Sequence, residues 1–200
     1  DGLVGLGETY PRPTVDAELI HSEIAPDVVG RDPHDVESIW RDTYRAANGW
    51  GGFGGSEMRA LSALDIALWD IKGKQLGTPV YALLGGKARD TIRTYHWVGG
   101  DEPEALARNG EQLVNEGVAS LKFDATQRLY HLDSSEAVDL IAARLARLRQ
   151  AVGESVDIAV DFRGRVSQSL SKAVATALEP HNPLFIEEPV KPESHHTLAD

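Results

Sequence analysis

The sequence predicts an α/β protein, because strands and helices alternate regularly through its second half. The predicted strands cover residues 91–98, 118–124, 156–161 and 183–189. Strands that are joined by helices form parallel βαβ units with right-handed crossovers. Four such units are half of an eight-stranded barrel, and a doubly wound sheet is the other arrangement that fits the same alternation.

The first 88 residues follow a different, α+β pattern. Loose alternation at residues 3–9 predicts a short strand, and helices are predicted at 14–24 and 34–48. A longer helix is predicted to end at Gly77, because apolar residues recur at helical spacing before it and glycine commonly ends helices. We therefore expect one domain over residues 1–88 and a second over 89–200.

The helices of the second half have recognisable start and stop signals. Pro103 suits the first turn of a helix that runs to about Asn115, and Gly117 follows its end. A second amphipathic helix, predicted over 134–152, stops before Gly153. The last predicted helix covers 168–179, and a predicted strand follows each of the three helices. This order supports parallel pairing of the four strands.

Both ends of the sequence suggest a piece of a longer protein. The chain opens on Asp1-Gly2, a hairpin-type turn signal with no strand before it. It ends at Asp200, where a further helix is predicted to begin. We expect the first strand of the α+β segment, and the β/α units beyond the fourth, to lie outside these 200 residues.

The composition excludes several classes of protein. Apolar residues make up 42% of the chain, which is enough for a packed core. A net charge of −11 argues against nucleic acid or an anionic membrane as the main partner, since both require basic surface. The chain has no cysteine, so disulfides and thiolate chemistry are excluded. No apolar run reaches the roughly 18 residues of a membrane span, and a cytoplasmic protein is expected.

Charged residues lie at the carboxyl ends of three successive predicted strands. They are Lys122 and Asp124, then Asp161, then Glu187 with Glu188. Parallel strands open their carboxyl ends on one face, where the active sites of such folds lie. Because side chains alternate along a strand, only one of the two neighbouring glutamates should face that site. Clustered carboxylates suit a hard divalent cation such as Mg²⁺.

A second interpretation of the same residues stays open at this point. The strand-end acids could be solvated, or they could pair with neighbouring bases, namely Lys122, Arg163 and Arg165. His96, near the end of the first strand of the β/α array, is also placed to contact a ligand. The strand-end position alone does not decide between a metal site and a set of salt bridges.

Seven motifs together resemble the enolase superfamily, and within it the mandelate racemase subgroup and its sugar-acid dehydratases. The motifs are GLGE (5–8), SALDIALWDIKGK (62–74), LLGG (83–86), YHWVGGDEP (95–103), LKFD (121–124), VDFRGRVS (160–167) and FIEEPV (185–190). They occur in order over nearly the whole chain. The resemblance implies an N-terminal α+β capping domain followed by the first half of a modified (β/α)7β barrel of the TIM type.

The resemblance also implies a chemistry. Such enzymes bind Mg²⁺ through acids on three successive strands; Asp161 and Glu187 match the first two ligands, and the third lies beyond Asp200. The expected reaction is loss of water from an aldonate such as galactonate, which gives a 2-keto-3-deoxy acid through an enediolate. The small-molecule sugar acid would be the partner, and the protein would form a homo-oligomer, from a dimer to an octamer.

Two positions depart from the family pattern. Racemases carry Lys-x-Lys at the end of the second strand, whereas this chain has Lys122 and then Asp124, which disfavours two-base racemisation. The dehydratases carry a general-acid histidine two residues after the first metal ligand, and this chain has Arg163 there. Arginine is a poor proton donor, because its pKa is above about 12, but it binds carboxylates well.

The family resemblance implies a role for each candidate residue. Lys122 would support the charge of the substrate carboxylate and of the enediolate, and Arg163 would orient the substrate. Further substrate contacts are predicted for a wider set: Tyr10, Trp50, His96, Asp124 and Arg165. An epimerase or racemase of the same superfamily, and a sugar-acid-binding paralogue without catalysis, are the alternatives.

Overall fold

The computed structural model describes residues 2–48, 54–126 and 134–198, and it divides the chain into two compact units. The first unit covers Asp1–Thr91 and the second covers Ile92–Asp200. Within the described ranges, no helix has both the length and the apolar character that a bilayer crossing requires.

The first unit is mainly helical. Its α-helices are α1 (Pro13–Leu19), α2 (Ala25–Val28), α3 (Val36–Asn48), α4 (Gly55–Leu76) and α5 (Val80–Leu83), with a π-helical turn at Ile20–Ile24 between α1 and α2. The predicted end of α4 is confirmed, because Gly77 adopts φ 60° and Thr78 donates its N–H to the carbonyl of Gly73 over 2.9 Å.

The prediction of a strand at residues 3–9 is wrong. The described part of this segment forms no strand and instead lies along α4. The backbone N–H of Leu6 donates to Asp70 Oδ2 over 2.8 Å, and Lys74 Nζ donates to the carbonyl of Val4 over 2.7 Å. A Cβ atom on Gly7 would overlap the carbonyl oxygen of Ala63 on the helix. The alternating glycines therefore permit close approach to a helix and do not mark sheet pairing.

The second unit contains a parallel four-stranded sheet in the order β1-β2-β3-β4, which confirms the α/β class. The strands are β1 (His96–Trp97), β2 (Ser120–Asp124), β3 (Asp157–Asp161) and β4 (Ile186–Glu187). The helices between them are α6 (Pro103–Asn115), α7 (Ser135–Val152) and α8 (Gln168–Leu178), with 3₁₀ turns at Glu179–His181 and Pro192–Thr197. The first and last strands are much shorter than predicted.

Alternation along β2 and β3 separates the core from a polar face. Leu121 and Phe123 of β2, and Ile158 and Val160 of β3, are fully buried in one core cluster. The same cluster includes Leu145 and other apolar residues of α7. Because neighbouring residues on a strand point to opposite faces, the residues between these apolar positions lie on the other face of the sheet.

Candidate active site

The polar face carries a row of ionisable side chains at the carboxyl ends of the strands. Parallel pairing places Trp97 opposite Lys122, Asp124 opposite Asp161, and Asp161 opposite Glu187. Paired residues on neighbouring strands share a face, so these five side chains belong to one side of the sheet. The predicted gathering of strand-end charges is thus present in the described residues.

Lys122 lies at the centre of this row and is only 4% exposed. Its ammonium donates hydrogen bonds to Glu187 Oε2 and, over 3.2 Å, to the hydroxyl of Tyr95. Asp161 Oδ2 is 4.0 Å away. Burial lowers the pKa of Lys122, but the hydrogen bonds to Glu187 and Tyr95 outweigh burial and raise the pKa above its ordinary value. These contacts therefore favour the charged form of Lys122.

Two aromatic rings flank the ammonium of Lys122. Lys122 Nζ lies 4.7 Å from the ring centroid of Tyr95 and 4.8 Å from that of Trp97. The guanidinium carbon of Arg163 lies 5.6 Å from the ring centroid of Trp97. Neither aromatic residue was among the predicted site residues. Alternation indicates that Tyr95 and Trp97, two residues apart, share a face, but only the pairing of Trp97 with Lys122 in the structure shows that this is the face of the site.

His96 does not join this cluster in the structure. It is paired with Leu121, a core residue, and not with Lys122. Its ring nitrogen Nδ1 lies 2.8 Å from the carbonyl oxygen of Trp97. The predicted contact between His96 and a substrate stays a prediction, and Trp97 is the β1 residue that faces the ionisable row.

Asp161 is 5% exposed and is held by the backbone that follows it. Its Oδ1 accepts a hydrogen bond from the backbone N–H of Arg163 over 2.7 Å. Burial raises the pKa of Asp161 above its ordinary value, and the negative charge of Glu187 acts in the same direction. The hydrogen bond and the cations of Lys122 and Arg163 lower it, but by less. A cation placed between the two acids would be favoured by this mutual repulsion.

Arg163 pairs with Asp124 across the ends of β2 and β3. Arg163 Nε lies 3.0 Å from Asp124 Oδ2, and Asp124 Oδ1 accepts hydrogen bonds from the N–H and the hydroxyl of Thr126 over 2.8 and 3.1 Å. Arg163 adopts φ 54° and Gly164 adopts φ 58°, so the chain turns sharply after β3. A non-glycine residue in the left-handed region is uncommon and is often found at functional sites.

Other predicted residues lie apart from the row. Arg165 is exposed, and its backbone N–H donates to the carbonyl of Phe162 over 3.1 Å. Glu188 is exposed with φ 46°. Trp50 falls outside the described residues. The predicted role of Arg165 in substrate binding stays a prediction.

Tyr10, in the first unit, is largely exposed beside a cleft of about 370 Å³. The cleft is lined by Glu8, Thr9, Tyr10, Gly55, Met58, Arg59 and Ser62. The segment of Tyr10 is anchored through a buried acid, Asp16, which accepts hydrogen bonds from Thr9 Oγ1 over 2.7 Å and from Arg59 Nε over 3.1 Å. The predicted substrate contact of Tyr10 is not tested by this placement.

A separate cleft of about 1130 Å³ lies in the second unit between α8 and the segment that follows β4. Its lining includes Lys172 and Thr176 of α8, Ile186 of β4 and Val190. None of the predicted site residues lines it. The 1130 Å³ cleft and the row of ionisable side chains are therefore different features of the second unit.

Asp161 and Glu187 fit the donor set of a magnesium ion. Both are carboxylates, they are paired on adjacent strands, and Mg²⁺ is commonly held by one or two carboxylates with water and substrate oxygens. The ammonium of Lys122 already lies close to both acids, so this position attracts positive charge. Among the described residues, no group of three or more His, Cys, Asp or Glu side chains is arranged to hold a metal. The pair would thus supply only part of a coordination sphere.

Two family models together match most of the chain. The model described as mandelate racemase / muconate lactonizing enzyme, N-terminal domain, matches residues 1–85. The model described as enolase C-terminal domain-like matches residues 105–200.

Individual relatives agree with these family models. A D-galactonate dehydratase of Xanthomonas euvesicatoria pv. vesicatoria is 42% identical over 96% of this chain and 50% of its own length. A D-galactonate dehydratase of Ralstonia nicotianae is 43% identical, over 100% of this chain and 52% of its own length. The chain spans about half the length of the curated relatives it matches.

Solved structures show the same fold. The crystal structure of a member of the enolase superfamily from Salmonella typhimurium superposes with a TM-score of 0.85 at 31% identity. The match covers 98% of this chain and 56% of that one. The fold class predicted from the sequence is thereby confirmed, and the chain belongs to the mandelate racemase / muconate lactonizing enzyme family of the enolase superfamily.

Proposed function

We propose that this chain carries part of the active site of a sugar-acid dehydratase, an enzyme that converts an aldonate such as D-galactonate to a 2-keto-3-deoxy acid. One observation supports this proposal above the others: the buried side chain of Lys122 lies beside the paired carboxylates Asp161 and Glu187 at the carboxyl ends of parallel strands. The D-galactonate dehydratase relatives supply the substrate class.

In this proposal Asp161 and Glu187 would hold Mg²⁺. The ion would neutralise the carboxylate of the substrate and stabilise the negative charge that develops when the α-proton is removed. The backbone N–H of Arg163 fixes Asp161 through its Oδ1, and the strand register fixes the spacing to Glu187. The two acids are thus oriented by the fold itself.

Lys122 and Arg163 supply the positive charge of the chain at this face. The raised pKa of Lys122 keeps its ammonium protonated, so it can bind the substrate carboxylate and stabilise the anionic intermediate. Arg163, paired with Asp124, presents a guanidinium that can orient hydroxyl or carboxylate oxygens. Neither side chain is suited to donate a proton to the leaving hydroxyl, so proton transfer is not assigned to them.

The first unit would act as the capping domain of this enzyme. We assign it a role in specificity through Tyr10, whose segment borders the 370 Å³ cleft, and through Trp50. Homo-oligomerisation and a cytoplasmic location belong to the same proposal.

The proposal is tested with the full-length protein, Mg²⁺ and a panel of aldonates that includes D-galactonate. Formation of a 2-keto-3-deoxy acid is followed with semicarbazide by absorbance. We expect turnover of at least one aldonate, its loss on addition of a chelator, and its loss in the Asp161→Asn variant. If no aldonate in the panel gives a keto acid, the proposed function is wrong.

A second candidate is favoured by the pairing of Arg163 with Asp124. This ion pair occupies the position at which the family resemblance leads us to expect a histidine acid, and it offers charge without a proton donor. A sugar-acid-binding protein without turnover would show Mg²⁺-dependent binding of D-galactonate, no keto acid, and no exchange of the α-proton with deuterium.

A further inference from the structure

The indole of Trp97 contacts both cations of the candidate site. Its ring centroid is 4.8 Å from Lys122 Nζ and 5.6 Å from the guanidinium carbon of Arg163. The phenol of Tyr95 contacts Lys122 in two ways, through its ring centroid at 4.7 Å and its hydroxyl at 3.2 Å. A cation within about 6 Å of an aromatic centroid is attracted by the ring.

These rings lie outside the hydrophobic core of the second unit. Tyr95 is 45% exposed and Trp97 is 43% exposed, and neither belongs to the core cluster of the second unit. The ring of Tyr95 makes an edge contact with Phe185, with centroids 6.0 Å apart. Among the described residues, the ring of Trp97 makes no such contact with another aromatic ring, and it contacts the two cations Lys122 and Arg163.

The rings and the acids contact the same ammonium of Lys122. The ammonium is hydrogen-bonded to Glu187 and lies 4.0 Å from Asp161, so electrostatic attraction draws it between the two carboxylates. An ammonium that moved fully between them would cover the oxygens that Mg²⁺ requires. Tyr95 and Trp97 bind the same ammonium through their rings, and Tyr95 also binds it through its hydroxyl, so they limit this movement.

We propose that Tyr95 and Trp97 are positioning residues that fix Lys122 and, through Trp97, Arg163 at the face where the substrate carboxylate binds. The inference rests on the proposed function for its consequence in catalysis, but the positioning itself is a property of the folded chain. It assigns a role in orientation to Trp97, the β1 neighbour of Lys122 in the sheet.

The first test measures the reactivity of Lys122 in the full-length protein with an acetylating N-hydroxysuccinimide ester, by peptide mass spectrometry. Trp97→Leu removes the ring, and Trp97→Phe keeps an aromatic face, so the two variants form a matched pair. Lys87 and Lys172, both exposed, serve as internal references. We expect Trp97→Leu to raise labelling of Lys122 relative to the references by about threefold or more, and Trp97→Phe to stay close to wild type.

Other labelling outcomes overturn the inference. If both variants label Lys122 at the wild-type rate, the ring does not hold the ammonium. If both raise labelling equally, the size of Trp97 matters and its aromatic face does not. Should Trp97→Leu fail to fold, Tyr95→Phe, which keeps the ring and loses the hydroxyl, is compared with Tyr95→Leu, which loses both; equal labelling of Lys122 in these two variants would overturn the role of the ring.

The second test is kinetic and uses D-galactonate with Mg²⁺. We expect Trp97→Leu to lower kcat/KM by about tenfold, with most of the loss in KM, because the two cations bind the substrate carboxylate before and during the reaction. Trp97→Phe should recover most of the loss. A wild-type protein with no turnover would contradict the proposed function, and the labelling of Lys122 would still decide the positioning role.

Discussion

Arg163 and Asp124 form an ion pair that joins the ends of two neighbouring strands, with Arg163 Nε 3.0 Å from Asp124 Oδ2. The other oxygen of Asp124 is held by Thr126, so the acid is bound from both sides. Each member of the pair departs from what the family resemblance leads us to expect: racemases would carry a lysine base at the position of Asp124, and dehydratases a histidine acid at that of Arg163. The two departures are thus physically coupled, since each residue neutralises the charge of the other.

Replacing Arg163 with histidine tests whether this position lacks a proton donor. We expect Arg163→His to raise kcat for dehydration of D-galactonate by about tenfold or more, because an imidazolium can donate a proton near neutral pH and a guanidinium cannot. The rate is measured with saturating Mg²⁺. Arg163→Lys is the control, since it keeps the positive charge; a histidine variant no faster than this control would refute the expectation.

Replacing Lys122 with methionine tests the competition between its ammonium and a metal. We expect Lys122→Met to bind Mg²⁺ about tenfold more tightly, because Asp161 and Glu187 lose the cation that now neutralises them. Turnover should be lost, since the substrate carboxylate loses its fixed partner. Isothermal titration calorimetry measures the affinity, with Lys87→Met as the control for an exposed lysine. Unchanged or weaker binding of Mg²⁺ would show that Lys122 does not compete for this site.

The contacts of Asp16 lead us to expect that the stability of the fold depends on pH in the acid range. Burial raises the pKa of Asp16. Hydrogen bonds from Thr9, Arg59 and Ser56 together lower it by more than burial raises it, so the pKa lies below the ordinary value of 3.8. An acid whose pKa is lowered in the folded state stabilises the fold at pH values above 3.8. This stabilisation is lost as the pH falls through the pKa of the folded state. We expect Asp16→Asn to have a lower urea midpoint than wild type at pH 7, and a smaller difference from it near pH 3.

Asp65 provides a control of opposite sign in the same unit. Burial raises its pKa above 3.8, and the charge of Glu37 adds to this. A raised pKa means that ionisation opposes folding as the pH rises above the ordinary value. Asp65→Asn should therefore raise the urea midpoint at pH 7 and have little effect near pH 3. Equal responses of the Asp16 and Asp65 variants at pH 7 would contradict both assignments.

The close approach of Gly7 to α4 leads us to expect that a side chain at this position destabilises the first unit. A Cβ atom at this position would overlap the carbonyl oxygen of Ala63 in α4, and backbone cannot move aside as a side chain can. We expect Gly7→Ala to destabilise the protein by about 2 to 3 kcal/mol, measured by urea unfolding. Gly99→Ala is the control, because a Cβ at Gly99 would meet nothing within 4 Å. Similar losses in both variants would show that the contact with α4 is not the cause.

The sequence was sufficient for the order of elements in the second unit, since each strand is followed by a helix with clear boundaries. Alternation along β2 is also readable from the sequence, and it places Lys122 and Asp124 on one face, opposite the core residues Leu121 and Phe123. The same rule would have favoured Trp97 over His96, had the pairing of β1 with Lys122 been known. Register is a relation between strands, and a single sequence does not supply it.

Two other features depend on contacts between distant residues and could not be predicted locally. The alternation at residues 3–9 is common to a strand and to an extended segment on a helix, and the bonds from Leu6 to Asp70 and from Lys74 to Val4 decide for the helix. The ion-pair partner of Arg163 could not be predicted either. The left-handed backbone conformation of Arg163 sets the direction of its side chain, and an arginine in the sequence does not indicate that conformation.

Lys122 gives the candidate site a resident counter-ion. Because its ammonium lies beside Asp161 and Glu187, it offsets part of their mutual repulsion as soon as the sheet forms. In the proposed magnesium site, an arriving metal ion would therefore meet an acidic pair that Lys122 already neutralises in part, and not a bare one. The chain can assemble this face before any ligand is bound.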